Sequence, residues 1–464
     1  MTATTSASRS PRTMRTFMVI WLGQLISMVG SGLTSFALGV WTYQQTQQAT
    51  PFALTVFLST VPRLLLMPLA GSLADRWNRK RLMLLADTGS ALVTLAAVLL
   101  LATQGLQVWH VYLMALADAV FAAFQEPAYT ASITMLVPKE NLARASGLGQ
   151  LSQAVEMLIA PVLAGALFGF IGLRGIILID FLTYFFALGA LLWAHIPQPA
   201  PERQTAPPRH QVWEDMAFGW RYLRARPGLF GLLLYFALVN FTVNLATVLT
   251  GPLVLARYSA AALGGVQLAL GVGMLAGSIA LSAWGGPKRR SLGIIGFIAL
   301  GGVGLLITGL NPALVFPAVG LFVLVAAVPM AAGPSQAIFQ SKVAPEVQGR
   351  VFAMRSLISR SMMPLAFLLA GPLADRVFEP LMQPGGALAG SLGALLGTGA
   401  GRGVGLMFVL AAILLLGASL AAYLNPRIRH VETELPDAAP ATPHPAAAPE
   451  APAEAKAVPA GAAA

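Results

Sequence analysis

From residue 17 to residue 424 the chain is a succession of apolar runs about twenty residues long, separated by short polar breaks. A bilayer core of about 30 Å takes roughly twenty apolar residues per helix. Inside lipid a helix satisfies all its backbone hydrogen bonds within one segment. The runs therefore predict an all-α membrane protein, and the overall balance agrees: 56% of the 464 residues are hydrophobic and 10% charged, too apolar for a soluble globular chain. Spans are expected at 17–43, 51–74, 82–103, 109–135, 146–170, 174–195, 228–255, 261–284, 291–310, 312–336, 350–374 and 403–424. These are twelve transmembrane helices in two six-helix halves. The expected organisation is an N-terminal tail over 1–16, a first half over 17–195, a linker over 196–227, a second half over 228–424, and an Ala/Pro-rich tail over 425–464 too poor in large apolar residues to fold alone.

An even number of spans puts both termini on one face, and the cations say which. Arg9, Arg12, Arg15, Arg76, Arg79, Lys80, Arg81, Lys139, Arg144, Lys288, Arg289, Arg290, Lys342, Arg350, Arg427 and Arg429 fall on the side of the termini. Arg174, Arg257, Arg376 and Arg402 fall opposite. Cytoplasmic loops carry the excess of Lys and Arg, so both termini are expected in the cytoplasm of a multi-pass protein of the inner (plasma) membrane. The formal charge of +11 then belongs to topology and to anionic membrane lipids, and no nucleic-acid partner is needed. Within the linker, Trp213, Met216, Trp220 and Leu223 share one helical face with Arg221, Arg224 and Arg226 nearby, the pattern of a helix lying on the leaflet.

Several chemistries are excluded. The chain has no cysteine and five scattered histidines, so no metal site or cofactor is expected. There is no phosphate-binding G-x-x-x-x-G-K-[ST] loop for a primary pump. Clustered carboxylates that would hold a metal for a lipid-modifying enzyme are also missing.

One hexapeptide pattern, G-x-L-A-D-R, occurs twice: GSLADRWNRKRL at 71–82 and GPLADRVFEPLM at 371–382. Nine spans lie between them, so they sit on opposite faces and cannot be copies under a six-plus-six symmetry. The symmetric counterpart of the first is GGPKRRS (285–291), which keeps the glycine and the cations but not the aspartate. The first copy, in the loop after the second span, resembles the hallmark of the major facilitator superfamily. FQEPAYTASITMLVP (124–138), IAPVLAG (159–165) and VQGRVFAMRSL (347–357), with GPLADRVFEPLM itself, resemble its macrolide-efflux and enterobactin-exporter branch of drug:proton antiporters. The resemblance covers about residues 14–425. It implies two six-helix halves alternating access to a midplane cavity, with the first, fourth, seventh and tenth helices at the cavity. It also implies that Gly71, Asp75, Arg76, Arg79 and Lys80 latch one conformation; the plain alternative is a basic loop that only fixes topology. The chain departs from the family pattern at Asn78, where glycine is usual, at Ala160 before Pro161, and in having no arginine over 109–135.

Ionisable residues inside spans are the second signal, since a charge at the bilayer centre costs at least about 2.5–3.5 kcal/mol. Arg63, Asp118, Glu126, Glu156 and Asp180 sit there, and Asp87 lies nearer a cytoplasmic end. Glu156, five residues before Pro161, is the leading candidate to carry a coupling proton. The alternative is a structural pair of Glu156 or Asp118 with Arg63. Gln24, Ser27, Ser31 and Thr34 share one face of the first span, and Asn240, Asn244 and Thr247 lie in the seventh. Both sets are candidates to line a substrate cavity, and such residues also join helices without any ligand. The expected function is proton-coupled efflux of an amphipathic or lipophilic small molecule (a drug, macrolide or siderophore) by a monomer. Protons, substrate and lipids would be its partners, and it would not be an enzyme. A lipid-modifying enzyme or a non-transporting receptor on the same fold is the alternative.

Overall fold

The computed structural model describes residues 14–194, 196 and 209–437, with the side chains of 75, 76 and 209–213 outside the description. The expectations for the N-terminal tail before residue 14, most of the linker's Pro-rich part and the tail beyond 437 lie outside the described residues. The described residues are all helix and loop.

Span 1 is Met14–Thr46, span 2 Ala49–Arg76, span 3 Arg79–Ala102 and span 4 Val108–Leu136. The stretch Leu142–Trp193 is broken at Gly172, with φ 61° and ψ −173°, a conformation open to glycine and strained for other residues. It divides spans 5 (142–171) and 6 (173–193). Span 7 is Pro227–Leu255, span 8 Ala260–Trp284, span 9 Arg290–Leu310, span 10 Val315–Lys342, span 11 Pro345–Leu373 and span 12 Arg402–Leu424. The twelve expected spans are all present among the described residues. Helices outlast the apolar runs that announced them: span 10 continues beyond residue 336 to Lys342, and span 11 starts at Pro345. Hydropathy marks the part of a helix in lipid, and the backbone keeps its ladder after leaving it. Beyond Leu373 the chain makes a π turn at Ala374–Phe378 and a last helical turn, Glu379–Met382.

The two halves build their interiors differently. In the C-terminal half the main apolar core runs the full height, from Leu229 and Leu232 through Ile298, Leu305, Leu324 and Val325 to Leu249 and Leu253, and crosses the seam to Val40, Tyr43 and Phe52 of the first half; a small cluster of Met382, Leu396 and Leu406 stands apart from it. In the N-terminal half the core is split. One cluster, with Phe17, Ile20, Leu82, Met83 and Leu136, lies toward the face that carries the chain termini, here the terminal face. The other, with Leu33, Leu38, Val111, Leu173 and Ile176, lies toward the opposite, far face. A polar layer separates them.

The halves meet along a seam on the far-face side. Span 5 packs on span 8, span 2 on span 11, and spans 1 and 2 on span 7. Glycines make the approach possible. A Cβ at Gly165 would lie 2.6 Å from Ala260 O, and one at Gly264 would lie 2.5 Å from Pro161 O. The close approaches of Gly371 to Thr50 and of Gly251 to Phe52 lie on the same side. The structure is closed on the far face and parted on the terminal face.

The linker helix, Arg209–Arg224, rests on span 11. Leu223 is fully buried, Gly219 lies against Arg350 O, and Arg350 sits 3.6 Å from Asp215 and over the Phe218 ring. Of the face proposed for the leaflet, Leu223 and Met216 face protein, Trp220 is partly exposed, and Trp213 is among the side chains not described. Residues 426–437, which the sequence groups with the tail, are folded down on the second half: Lys342 Nζ bonds Leu435 O at 2.6 Å and pairs with Asp437 at 2.9 Å.

Candidate transport site

The polar layer of the N-terminal half is built from spans 1, 3, 4 and 6. Gln24 donates to Asp87 Oδ2 at 2.9 Å and accepts from Gln125 at 2.7 Å. Ser90 donates to Asp118 Oδ1 at 2.7 Å. Ser31 and Thr94 donate to the two oxygens of Asp180 at 3.2 and 3.4 Å. Among the described residues no ion pair reaches Asp87, Asp118 or Asp180. Neutral donors hold all three, which a buried carboxyl group requires.

This layer settles where the polar face of span 1 points. Gln24 and Ser31 commit their hydrogen bonds to spans 3, 4 and 6, Thr34 stands beside Asp180, and Ser27 is partly buried on the same face. In span 7, Asn240, Asn244 and Thr247 each donate to the carbonyl four residues back, at 2.8, 2.7 and 2.8 Å. Thr247 is exposed and the two asparagines are half-buried.

A second constellation lies where the halves part. Arg63 of span 2 pairs with Glu126 of span 4 at 2.8 Å, with side chains 46% and 39% exposed although both are mid-helix. Arg63 therefore takes Glu126, where the sequence suggested Glu156 or Asp118 as its partner. Glu156 of span 5 lies against Gly32 of span 1 and feels the charges of Arg63 and Glu126. Two residues further along span 5, Leu158 packs against Gly271 of span 8, the lower end of the seam. Glu156 thus sits at the boundary between the closed and open parts of the interface. Arg63 is the cation nearest to Glu126, Glu156 and Asp118, so one positive side chain faces three carboxyl groups.

Two described side chains of the loop after span 2 bond within its own half. Arg79 donates to Ala131 O at 2.8 Å, and Lys80 to Ala194 O at 2.7 Å, tying the ends of spans 4 and 6. Gly71 faces open space. The backbone of Asp75 and Arg76 closes span 2, and their side chains are not described. Asn78, where the family pattern has glycine, is the N-cap of span 3: it accepts from Arg81 N at 3.0 Å with φ −65°. Capping, and not tolerance of a left-handed backbone, accounts for the asparagine.

Three residues carrying charge escaped the sequence reading, which followed acids into the spans and stopped at Arg63. Arg355 of span 11 donates to Gln336 Oε1 and Ser335 Oγ at 2.8 and 3.1 Å and stacks over Phe339 at 4.3 Å. Arg360 is exposed, eleven residues before Gly371. Eleven residues are three helical turns, so it shares the face that meets span 2 higher up. Asp375 of the second hexapeptide accepts from the backbone of span 2. A search of the spans for cations would have found both arginines.

Twelve helices in two halves, joined at one face and parted at the other around mid-membrane charges, define a membrane transporter of the alternating-access kind. The family model described as Major Facilitator Superfamily matches residues 20–367, and the chain belongs to that superfamily; it is a multi-pass membrane transporter and not an enzyme. It is 29% identical to macrolide efflux protein A of Streptococcus pyogenes over 371 residues, 78% of this chain and 90% of that protein. It is 30% identical to macrolide efflux protein A of Enterococcus faecalis over 318 residues, 66% of this chain and 96% of that protein. Over 297 residues it is 27% identical to the enterobactin exporter EntS of Escherichia coli O9:H4 (strain HS), covering 62% and 70%. Among solved structures it resembles a bacterial homologue of the human lysosomal transporter Spinster, inward-facing and unoccupied, with TM-score 0.65, 16% identity and coverage of 91% and 98%. A bacterial homologue of the iron transporter ferroportin, inward-facing, gives 0.59, 17%, 91% and 99%.

Proposed function

We propose that this chain is a proton-driven exporter of an amphipathic or lipophilic small molecule across the cytoplasmic membrane, with both termini in the cytoplasm. The observation that carries this reading is the position of Glu156. It shares one place with the Arg63–Glu126 pair, directly below the seam, so motion of span 5 against span 8 changes its surroundings in every cycle. A proton taken up there lowers the negative charge around Arg63 before the halves exchange positions, and its release restores it. Asp118, Asp180 and Asp87 lie behind this group in the polar layer, as relay or as structural support. The direction of transport and the substrate class follow the efflux relatives. The cation bias of the terminal face gives the orientation, which makes the present form open to the cytoplasm.

The test is transport in proteoliposomes carrying the purified protein, with an imposed pH gradient and a panel of macrolides, lipophilic cations and catecholate siderophores. Gradient-dependent accumulation of one class, collapsed by a protonophore, supports the reading. Accumulation indifferent to the gradient, or driven only by a sodium gradient, contradicts it.

A further inference from the structure

The second hexapeptide, 371–376, has no part in the polar layer or the Glu156 group, yet it makes the most directed contact between the halves. We propose that Asp375 is the clasp that holds the far face shut: a carboxylate from the second half caps the first turn of span 2 in the first half.

Both of its oxygens are engaged. Ala49 N donates to Oδ1 at 2.8 Å and Thr50 N to Oδ2 at 2.7 Å. Helix N-termini leave their first amides without intrahelical partners, and the residue that should satisfy them, Gln48, makes no side-chain capping bond. The cap of span 2 therefore comes from across the seam. A carboxylate there also meets the positive end of the helix dipole, and bonds to an ionised acceptor are the stronger kind.

The surroundings serve this contact. Gly371 lies so close to Thr50 that a Cβ would overlap its Cα. One turn on, the π turn Ala374–Phe378 carries Asp375; such turns insert a residue and re-aim the side chains near them. Phe52, in the same first turn of span 2, fills the space between Gly39 of span 1 and Gly251 of span 7. Glu379, four residues further, accepts from Val404 N at 3.2 Å and so caps span 12 of its own half. Two neighbouring carboxylates thus divide the work: Glu379 acts within one half, and Asp375 acts between halves. The far face cannot open without parting Asp375 from span 2, so the bond weights the equilibrium toward the form described here.

The inference rests on alternating access by a member of this superfamily, and its test needs neither substrate nor proton gradient. The chain has no cysteine, so single cysteines report accessibility. Val56→Cys stands one turn below Phe52, behind the clasp; Gly147→Cys stands on the open, terminal face. Membrane-impermeant maleimide is applied from each side of oriented vesicles. In the Asp375→Asn background, labelling at position 56 from the far face should rise about ten-fold, the scale set by one charge-assisted bond. Labelling at 147, in the matching single-cysteine variant, should fall, because the terminal face closes as the far face opens. Glu379→Gln should leave the pair of rates unshifted. Should Asp375→Asn fail to fold, Gly371→Ala forces the same seam apart and should shift both rates in the same directions. Unchanged rates, a rise at both positions, or the same shift from Glu379→Gln would overturn the clasp.

Discussion

The two halves of this molecule share one helical plan and differ in what they bury. The first half places five carboxylates, Asp87, Asp118, Glu126, Glu156 and Asp180, well inside its spans, with Asp75 at the end of span 2; in the second the acids are Glu346, at a helix start, and Asp375 and Glu379, beyond the end of span 11. Accordingly the first half holds two core clusters of its own separated by a polar layer, while the second has one main core that runs its full height, with a small satellite at Met382, Leu396 and Leu406. Continuous apolar packing makes a rigid body; a hydrogen-bonded layer of acids makes one whose charge can change. The difference points to a division in which the first half carries the coupling chemistry and the second is the solid partner against which it moves.

The comparison breaks most readily at Arg63. Arg63→Leu leaves Glu126 and Glu156 together without a cation at mid-membrane depth, where an uncompensated charge is costly. Transport should fall at least about ten-fold, and the companion change Glu126→Gln should recover part of it. If Arg63→Leu transports normally, the mid-membrane group is not the working part of the first half. A next test moves to the second half. In span 9, Gly304 touches Gly320 of span 10 so closely that a Cβ at 304 would overlap its carbonyl. Gly304→Ala should cost about 1–3 kcal/mol, the usual scale for overpacking, read as a lower unfolding temperature in detergent, while turnover per folded molecule stays near wild type. A specific loss of turnover would give the second half a chemical role.

Asp180 sharpens the contrast within the polar layer. Asp180→Leu removes the acceptor of Ser31, at about 1 kcal/mol for a hydroxyl left unpaired, whereas Thr94 keeps Ser90 O at 3.1 Å. Asp180→Asn keeps one acceptor oxygen and should be milder in thermal unfolding. If Asp180→Asn keeps gradient-driven transport, Asp180 supports the layer and the proton path lies with Glu156; if it stops transport with stability intact, the path extends to span 6. The smallest effect is expected at the loop. Asn78→Ala removes the cap of span 3 and should cost about 1 kcal/mol, whereas Asn78→Gly, the family residue, should cost only a few tenths.

Much of the architecture was legible in the sequence because lipid allows few alternatives: apolar runs gave the spans, and Gly172 lies in the short break expected between spans 5 and 6. The candidate site was legible as a set of residues and not as an arrangement. The spacing of Gln24, Ser27, Ser31 and Thr34 shows that they share a face, but the rotation of span 1 about its axis is set by packing against spans 3, 4 and 6. The partner of Arg63 was hidden for the same reason, since Glu126 and Glu156 lie on different helices at similar depth. Asp375 could be read as the member of a repeated hexapeptide and not as a cap, because its partners are backbone amides more than three hundred residues away, in the other half.

The central claim, that Glu156 exchanges the coupling proton, is tested most directly by Glu156→Gln in proteoliposomes once a substrate has been identified. Glutamine keeps the shape of the protonated carboxyl group and cannot release a proton. Accumulation driven by an imposed pH gradient and downhill exchange of labelled substrate are measured on the same preparation. The account predicts that accumulation is lost while exchange continues near the wild-type rate, since exchange needs alternating access and no net proton movement. Accumulation retained at the wild-type level would contradict it.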